Sequence, residues 1–179
     1  MISLALLLAA QSAMPIKHYP GWDLYRHGSG CTLIGHFGER GVMQIAEDAG
    51  AYRTFIGIRD ARFDAVAGRA YAIAPVPVRD GTPDQRYTPI TARGMANGYI
   101  MTLKGDGILG SMAKSQQIRF ALAGGGAVMT LNYGAIAAQL DDLKQCARGV
   151  LRAQTGSSTL IGAQAFAPMS LWAGPQYSR

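Results

Sequence analysis

Three groups of residues in this 179-residue chain have the types and spacing to do chemistry. The first is Gly105, Gly107 and Gly110, a G-x-G-x-x-G placed between an apolar segment and a short helical one. In a dinucleotide fold such glycines make a tight turn and let backbone N–H groups approach a pyrophosphate at a helix N-terminus. These three are the candidate cofactor-binding residues and suggest a nucleotide, the weakest of three functional readings. An acidic ribose partner belongs about twenty residues further on, and Gly124 to Asn132 holds no Asp or Glu. No cofactor is therefore expected.

The second group is Ser29, between Gly28 and Gly30 and beside His27. His18 and His36 are further bases, and Asp23 or Asp48 are possible orienters, so a nucleophilic hydrolase can be written from these types. The local order His-Gly-Ser-Gly lacks the spacing of a G-x-S-x-G elbow, and Gly and Ser are ordinary turn residues. The third group, His27, Cys31 and His36, offers nitrogen and sulfur ligands at spacings of four and five. That pattern fits no tight zinc pair and defines no fourth ligand, so no metal is expected. Asp80, Gly81 and Asp84 fall short of a calcium loop. The only Glu residues are Glu39 and Glu47, a poor supply for paired-carboxylate chemistry. No catalytic residue is assigned.

The elements that must position these groups are mostly short and extended. Trp22–His27, Cys31–Phe37, Val42–Glu47 and Tyr52–Ile58 read as strands separated by tight glycine turns, which implies an antiparallel meander. In the last of these, Tyr52, Thr54, Ile56 and Ile58 share a face opposite Arg53 and Arg59. Tyr71–Val78 reads as an edge strand, because Pro75 and Pro77 each remove a ladder donor. Asp80–Pro89 is a polar loop, and Gly98–Leu103 is again a strand. Asp106 opens a short helix near 106–115 whose apolar members are Ile108, Leu109 and Met112. Ile118–Leu122 and Ala127–Leu131 form a hairpin around Gly124, Gly125 and Gly126. Ile136, Leu140, Leu143 and Ala147 recur at helical spacing, giving a longer helix over 134–148 that Gly149 terminates. The fold class is mainly β or α+β: an antiparallel sheet or β-sandwich with one short and one longer C-terminal helix.

Residues 2–10 are an apolar run too short for a bilayer core, which needs about twenty residues. With Ala10 and Ser12 at the small-residue positions, residues 1–12 read as a signal peptide. Residues 13–152 then form one β-rich domain, and 153–179 a linker and tail. Cys31 and Cys146 are the only cysteines and lack C-x-x-C spacing; in an oxidising compartment they pair. The expected location is periplasmic or secreted, with no transmembrane span.

The formal charge of +6 comes from 17 Lys and Arg against 11 Asp and Glu. Thirteen of the basic residues are Arg, spread without a run of three, which argues against a nucleic-acid stripe. The segment from Gln117 to Cys146 combines a strand, the turn LAGGGA and a helix ending LDDLKQCA; Trp22 and Cys31 open the domain. Across residues 22 to 147 this resembles small exported alphaproteobacterial proteins such as the invasion-associated locus B group. The resemblance brings no catalytic residue with it. The sequence reading is thus a non-enzymatic exported envelope protein with a structural or binding role and a protein or envelope partner. Its alternative is a small periplasmic hydrolase using a His with Ser29 or an Asp.

Overall fold

The computed structural model describes residues 14–28, 30–38, 41–48, 53–61, 63–84, 87–105, 107–123 and 127–156. The chain is of the mainly-β, α+β class: the described residues form an 11-stranded antiparallel sheet with two helices. It opens with β1 (Lys17–Tyr19), β2 (Trp22–His27), β3 (Gly30–Phe37), β4 (Gly41–Asp48) and β5 (Arg53–Asp60), each paired with the next. There follow β6 (Ala70–Arg79), β7 (Thr82–Pro83), β8 (Ile90–Met95), β9 (Gly98–Lys104), α1 (Gly107–Met112), β10 (Gln117–Leu122), β11 (Ala127–Asn132) and α2 (Ala137–Gly156). The sheet order is β1-β2-β3-β4-β5-β9-β8-β6-β10-β11, with β7 paired to β6.

Period-two alternation puts one side chain in two from each strand on a common inner face. In register across the sheet lie Leu24, Leu33, Ile45, Ile56, Met101 and Ala92, all buried. Ile73, Ile118, Phe120, Met129 and Leu131 extend the same core through β6, β10 and β11. The helices cover this face: α1 contributes Ile108, Leu109 and Met112, and α2 contributes Ile136 from its lead-in, then Leu140, Leu143 and Val150. Each such side chain contributes about 1.5–3 kcal/mol on leaving water, so the inner row alone outweighs any surface ion pair. Trp22 lies flat over its register partner Gly35 and meets Phe37 edge-on at 5.6 Å. A Cβ on Gly35 would stand 2.7 Å from the indole carbons, so this cross-strand packing requires glycine.

The proline strand is not at an edge of the sheet. β6 lies between β8 and β10. The reason is a gap in its pairing. The Ala72 carbonyl accepts from Ala123 and the Pro77 carbonyl accepts from Asp84, so even-numbered β6 residues face β10 and odd-numbered ones face the other side. On that other side β8 pairs only as far as Ile73, and β7 begins at Val78. Pro75 therefore directs its missing N–H position into an unpaired stretch. Pro77 sits opposite Asp84 at the end of the short β7 pairing, where its carbonyl still accepts from the Asp84 N–H, so the prolines cost β6 little of its ladder.

α2 also departs from the expected bounds. It starts at Ala137, passes through Gly149 and runs to Gly156, so Thr155 and Gly156 are helical instead of linker. Burial of Val150 beyond the glycine outweighs the roughly 1 kcal/mol that glycine costs in a helix. Residues 1–13, the glycine turn at 124–126, Asp106, Tyr52 and the tail from 157 lie outside the described residues.

The helix is fastened to the sheet along one stripe, at Asp142, Cys146 and Gln154. Asp142 accepts hydrogen bonds from Lys17 (2.5 Å) and from the Tyr19 hydroxyl on β1. Cys146 is disulfide-bonded to the fully buried Cys31 of β3, with the Cα atoms 6.0 Å apart. The Gln154 amide donates to the Gly28 carbonyl at the β2–β3 turn, at 2.6 Å. Spacings of four and eight residues keep these groups on one side of a 3.6-residue helix.

Candidate functional site

With the inner face filled, chemistry or binding must use the outer face, the strand ends or the loops. The outer face is set by the same registers. One row reads Asp23, Ile34, Gln44, Gly57, Ile100 and Arg93; the next reads Tyr25, Thr32, Ala46, Phe55 and Thr102. Val42 borders them, in register with His36 and Arg59. Tyr25, Ile34, Val42, Ala46, Phe55 and Ile100 are each half-buried and together give the face an apolar centre. An antiparallel sheet with one covered face ordinarily turns polar residues to the other. Here only Gln44 and Thr102 interrupt the centre on their rows besides the buried Thr32.

The surround is mostly cationic. Arg53 on β5 and Lys104 on β9 are register partners at one end, Arg59 borders the other end, and Arg93 flanks Ile100 on β8. Arg53, Arg93 and Lys104 are exposed. The carboxylates on this margin are Asp23, hydrogen-bonded to His18 at 2.5 Å, and Asp48, the register partner of Arg53. An apolar surface of this kind bordered by charge of one dominant sign is suited to association.

The residues singled out in the sequence do not converge. His27 points to the outer face and its Nε2 lies 3.1 Å from the Thr32 hydroxyl. Burial pushes the His27 imidazole below the ordinary histidine value, opposed by its hydrogen bond to the Cys31 backbone and by the nearby Asp48 carboxylate. The trio of a hydroxyl, His27 and Asp48 has the types of a hydrolase, yet Thr32 is only 1% exposed, so no substrate carbonyl can reach its oxygen. Ser29 lies outside the described residues. Cys31 projects to the inner face and is held by Cys146, away from His27 and His36 on the outer face. Among the described residues no three His, Cys, Asp or Glu side chains are placed to hold one metal ion.

The G-x-G-x-x-G motif is likewise dispersed. Gly105 takes a left-handed backbone (φ 76°) that ends β9, whereas Gly107 and Gly110 lie within the six-residue α1. A Cβ on any of the three would meet nothing within 4 Å, so none of them is required by the chain's own packing. The flanking strands β9 and β10 belong to antiparallel pairs, not to a βαβ crossover. Around α1, polar groups are used internally: the Tyr87 hydroxyl donates to the Gly107 carbonyl (2.9 Å) and lies 2.6 Å from the Ser111 hydroxyl, and Ser115 meets the Tyr133 hydroxyl at 2.5 Å. Burial holds the Tyr133 phenol up at about 12, against the opposing effect of Ser115, so it stays protonated in this role.

The outer-face residues were not recognised as a group in the sequence. The available signal was that β3 and β4 carry apolar side chains at both parities: Leu33 and Ile34, Val42 and Met43. Adjacent strands become one surface only when registers are known. No helix among the described residues is long and apolar enough to cross a membrane. Comparison with protein-family models, with curated proteins and with solved structures finds no match to this chain.

Proposed function

We propose that this protein is a non-enzymatic, exported binding module of the cell envelope, periplasmic or secreted, that grips a partner protein through the outer face of its sheet. The observation that carries the reading is the half-buried apolar centre formed by Tyr25, Ile34, Val42, Phe55 and Ile100 on the face opposite the helices. The partner's chemistry follows from the margin. Arg53, Arg59, Arg93 and Lys104 suit an apolar surface bordered by carboxylates, where charge raises the association rate and fixes orientation. The Cys31–Cys146 bond supports export, because such bonds persist in oxidising compartments. Kinship with the invasion-associated locus B group belongs to the same proposal. The hydrolase alternative has less support, since the hydroxyl that His27 reaches is buried.

The test is photo-cross-linking in the producing cell, with a photoreactive side chain placed at Ile34 or Ile100 and, as control, at the exposed Gln145 on the solvent side of α2. A discrete adduct from the two sheet positions, absent from the helix position and weakened by salt, is the expected result. The same pattern from all three positions overturns the reading, as does recovery of the chain in the cytosol with both cysteines reduced.

A further inference from the structure

The two ends of the sheet differ. β1 is three residues long, lies between Pro15 and Pro20 and carries Lys17, all features that blunt an exposed edge. β11 at the other end has the sequence AVMTLN, without charge or proline. It pairs with β10, and among the described residues no strand lies on its far side.

The direction of its backbone groups follows from the ladder. Because the Ala123 N–H donates to Ala72, odd-numbered β10 residues face β6, while Ile118 and Phe120 face β11. Their partners are Leu131 and Met129, and beyond them the Tyr133 N–H donates to the Gln116 carbonyl. Thr130 and Asn132 therefore aim their N–H and C=O groups away from β10. A register shift between Phe120 and Ala121 places a bulge at Val128, so the regular part of the free edge is Met129–Asn132.

We propose that this edge pairs antiparallel with the same edge of a second copy, about a two-fold axis through Leu131. In that register Thr130 stands opposite the partner's Asn132 and Asn132 opposite the partner's Thr130, so every outward N–H and C=O of the regular edge finds an acceptor or donor. The faces match as well. Leu131 meets its symmetry mate on the inner side, and the outer rows across the axis run Arg119, Thr130, then the partner's Asn132 and Gln117. No like charges are brought opposite each other. A two-fold through Thr130 is poorer, because it sets Asn132 against the bulged Val128 and brings the two Arg119 residues into one row. The contact is isologous, so it closes at two copies.

Analytical ultracentrifugation of the full oxidised chain tests this, with Thr130→Pro and Thr130→Lys as variants. Proline removes an N–H that serves only the outward edge and leaves the β10 ladder intact; lysine adds a second positive charge beside Arg119 in each outer row, one residue from the axis. The expected result is a dimer for the wild type and a monomer for both variants, with thermal unfolding within a few degrees of the wild type. Should the proline variant fail to fold, the lysine variant decides alone. A wild type that is monomeric at its highest soluble concentration overturns the proposal, as do open-ended association or a dimer that survives the folded variants.

Discussion

Opening the bond between Cys31 and Cys146 removes a cross-link across a sequence separation of 115 residues. In the chain-entropy treatment a loop of that length releases about 5 kcal/mol of constraint on the unfolded ensemble. Contacts at Lys17, Tyr19 and Gln154 still hold α2 to the sheet after reduction, so the native helix stays docked and the loss acts through the unfolded chain. For a domain of this size each kcal/mol shifts Tm by about 2–4 °C, which gives a fall of about 10–20 °C. The assay compares urea and thermal unfolding of oxidised protein with protein reduced while unfolded and then refolded in reductant, so that reduction is complete although Cys31 is fully buried and Cys146 only partly exposed. The Cys31→Ala/Cys146→Ala double variant should lose somewhat more, since it also deletes buried volume. A reduced protein within about 1 kcal/mol of the oxidised one, at an unchanged urea m-value, would refute the view that the cross-link acts on the unfolded chain.

Two further outcomes follow from the geometry. Gly110→Ala should leave Tm unchanged or raise it, gaining up to about 1 kcal/mol, because the new methyl meets nothing and alanine favours the helix; a loss of stability in differential scanning calorimetry would show that the motif is under a constraint not visible in α1. His27 is held below the ordinary histidine value in the folded state, so the unfolded chain binds its proton first as pH falls. Its contribution is present above an ordinary value of about 6.5 and is lost as pH drops through the lower folded value. Tm measured across this window should fall on acidification, and His27→Gln should flatten that slope; an unchanged slope would put the pH dependence elsewhere.

The meander was legible because β2 to β5 alternate cleanly and are separated by glycine-rich turns, so two-residue periodicity and short connections point to one topology. The cysteine pair was legible from its isolation. β8 was not, because Thr91, Arg93 and Gly94 give it little apolar density, although Asn97, left-handed at φ 56°, and Gly98 mark the turn that joins it to β9. The place of β6 was misjudged since proline penalises a ladder bond only where one would form, and which side of a strand is unpaired depends on where its neighbours stop. The end of α2 was set by Val150 packing on the core, a tertiary effect that outweighs a local glycine signal. The outer-face centre stayed hidden for a similar reason: Ile34 and Ile100 are far apart in the chain, and only the registers of β3, β4, β5 and β9 bring them onto one row.

The positions of the two bonded sulfurs also govern the timetable of maturation. Cys31 enters the world early in an N-to-C emergence, whereas its partner arrives near the end of the folded domain. Through most of synthesis the first thiol must therefore wait, unsheltered by the helix that later covers it. Haste by an oxidant at this stage joins neighbouring chains; patience, or an isomerase able to undo such errors, gives the correct loop.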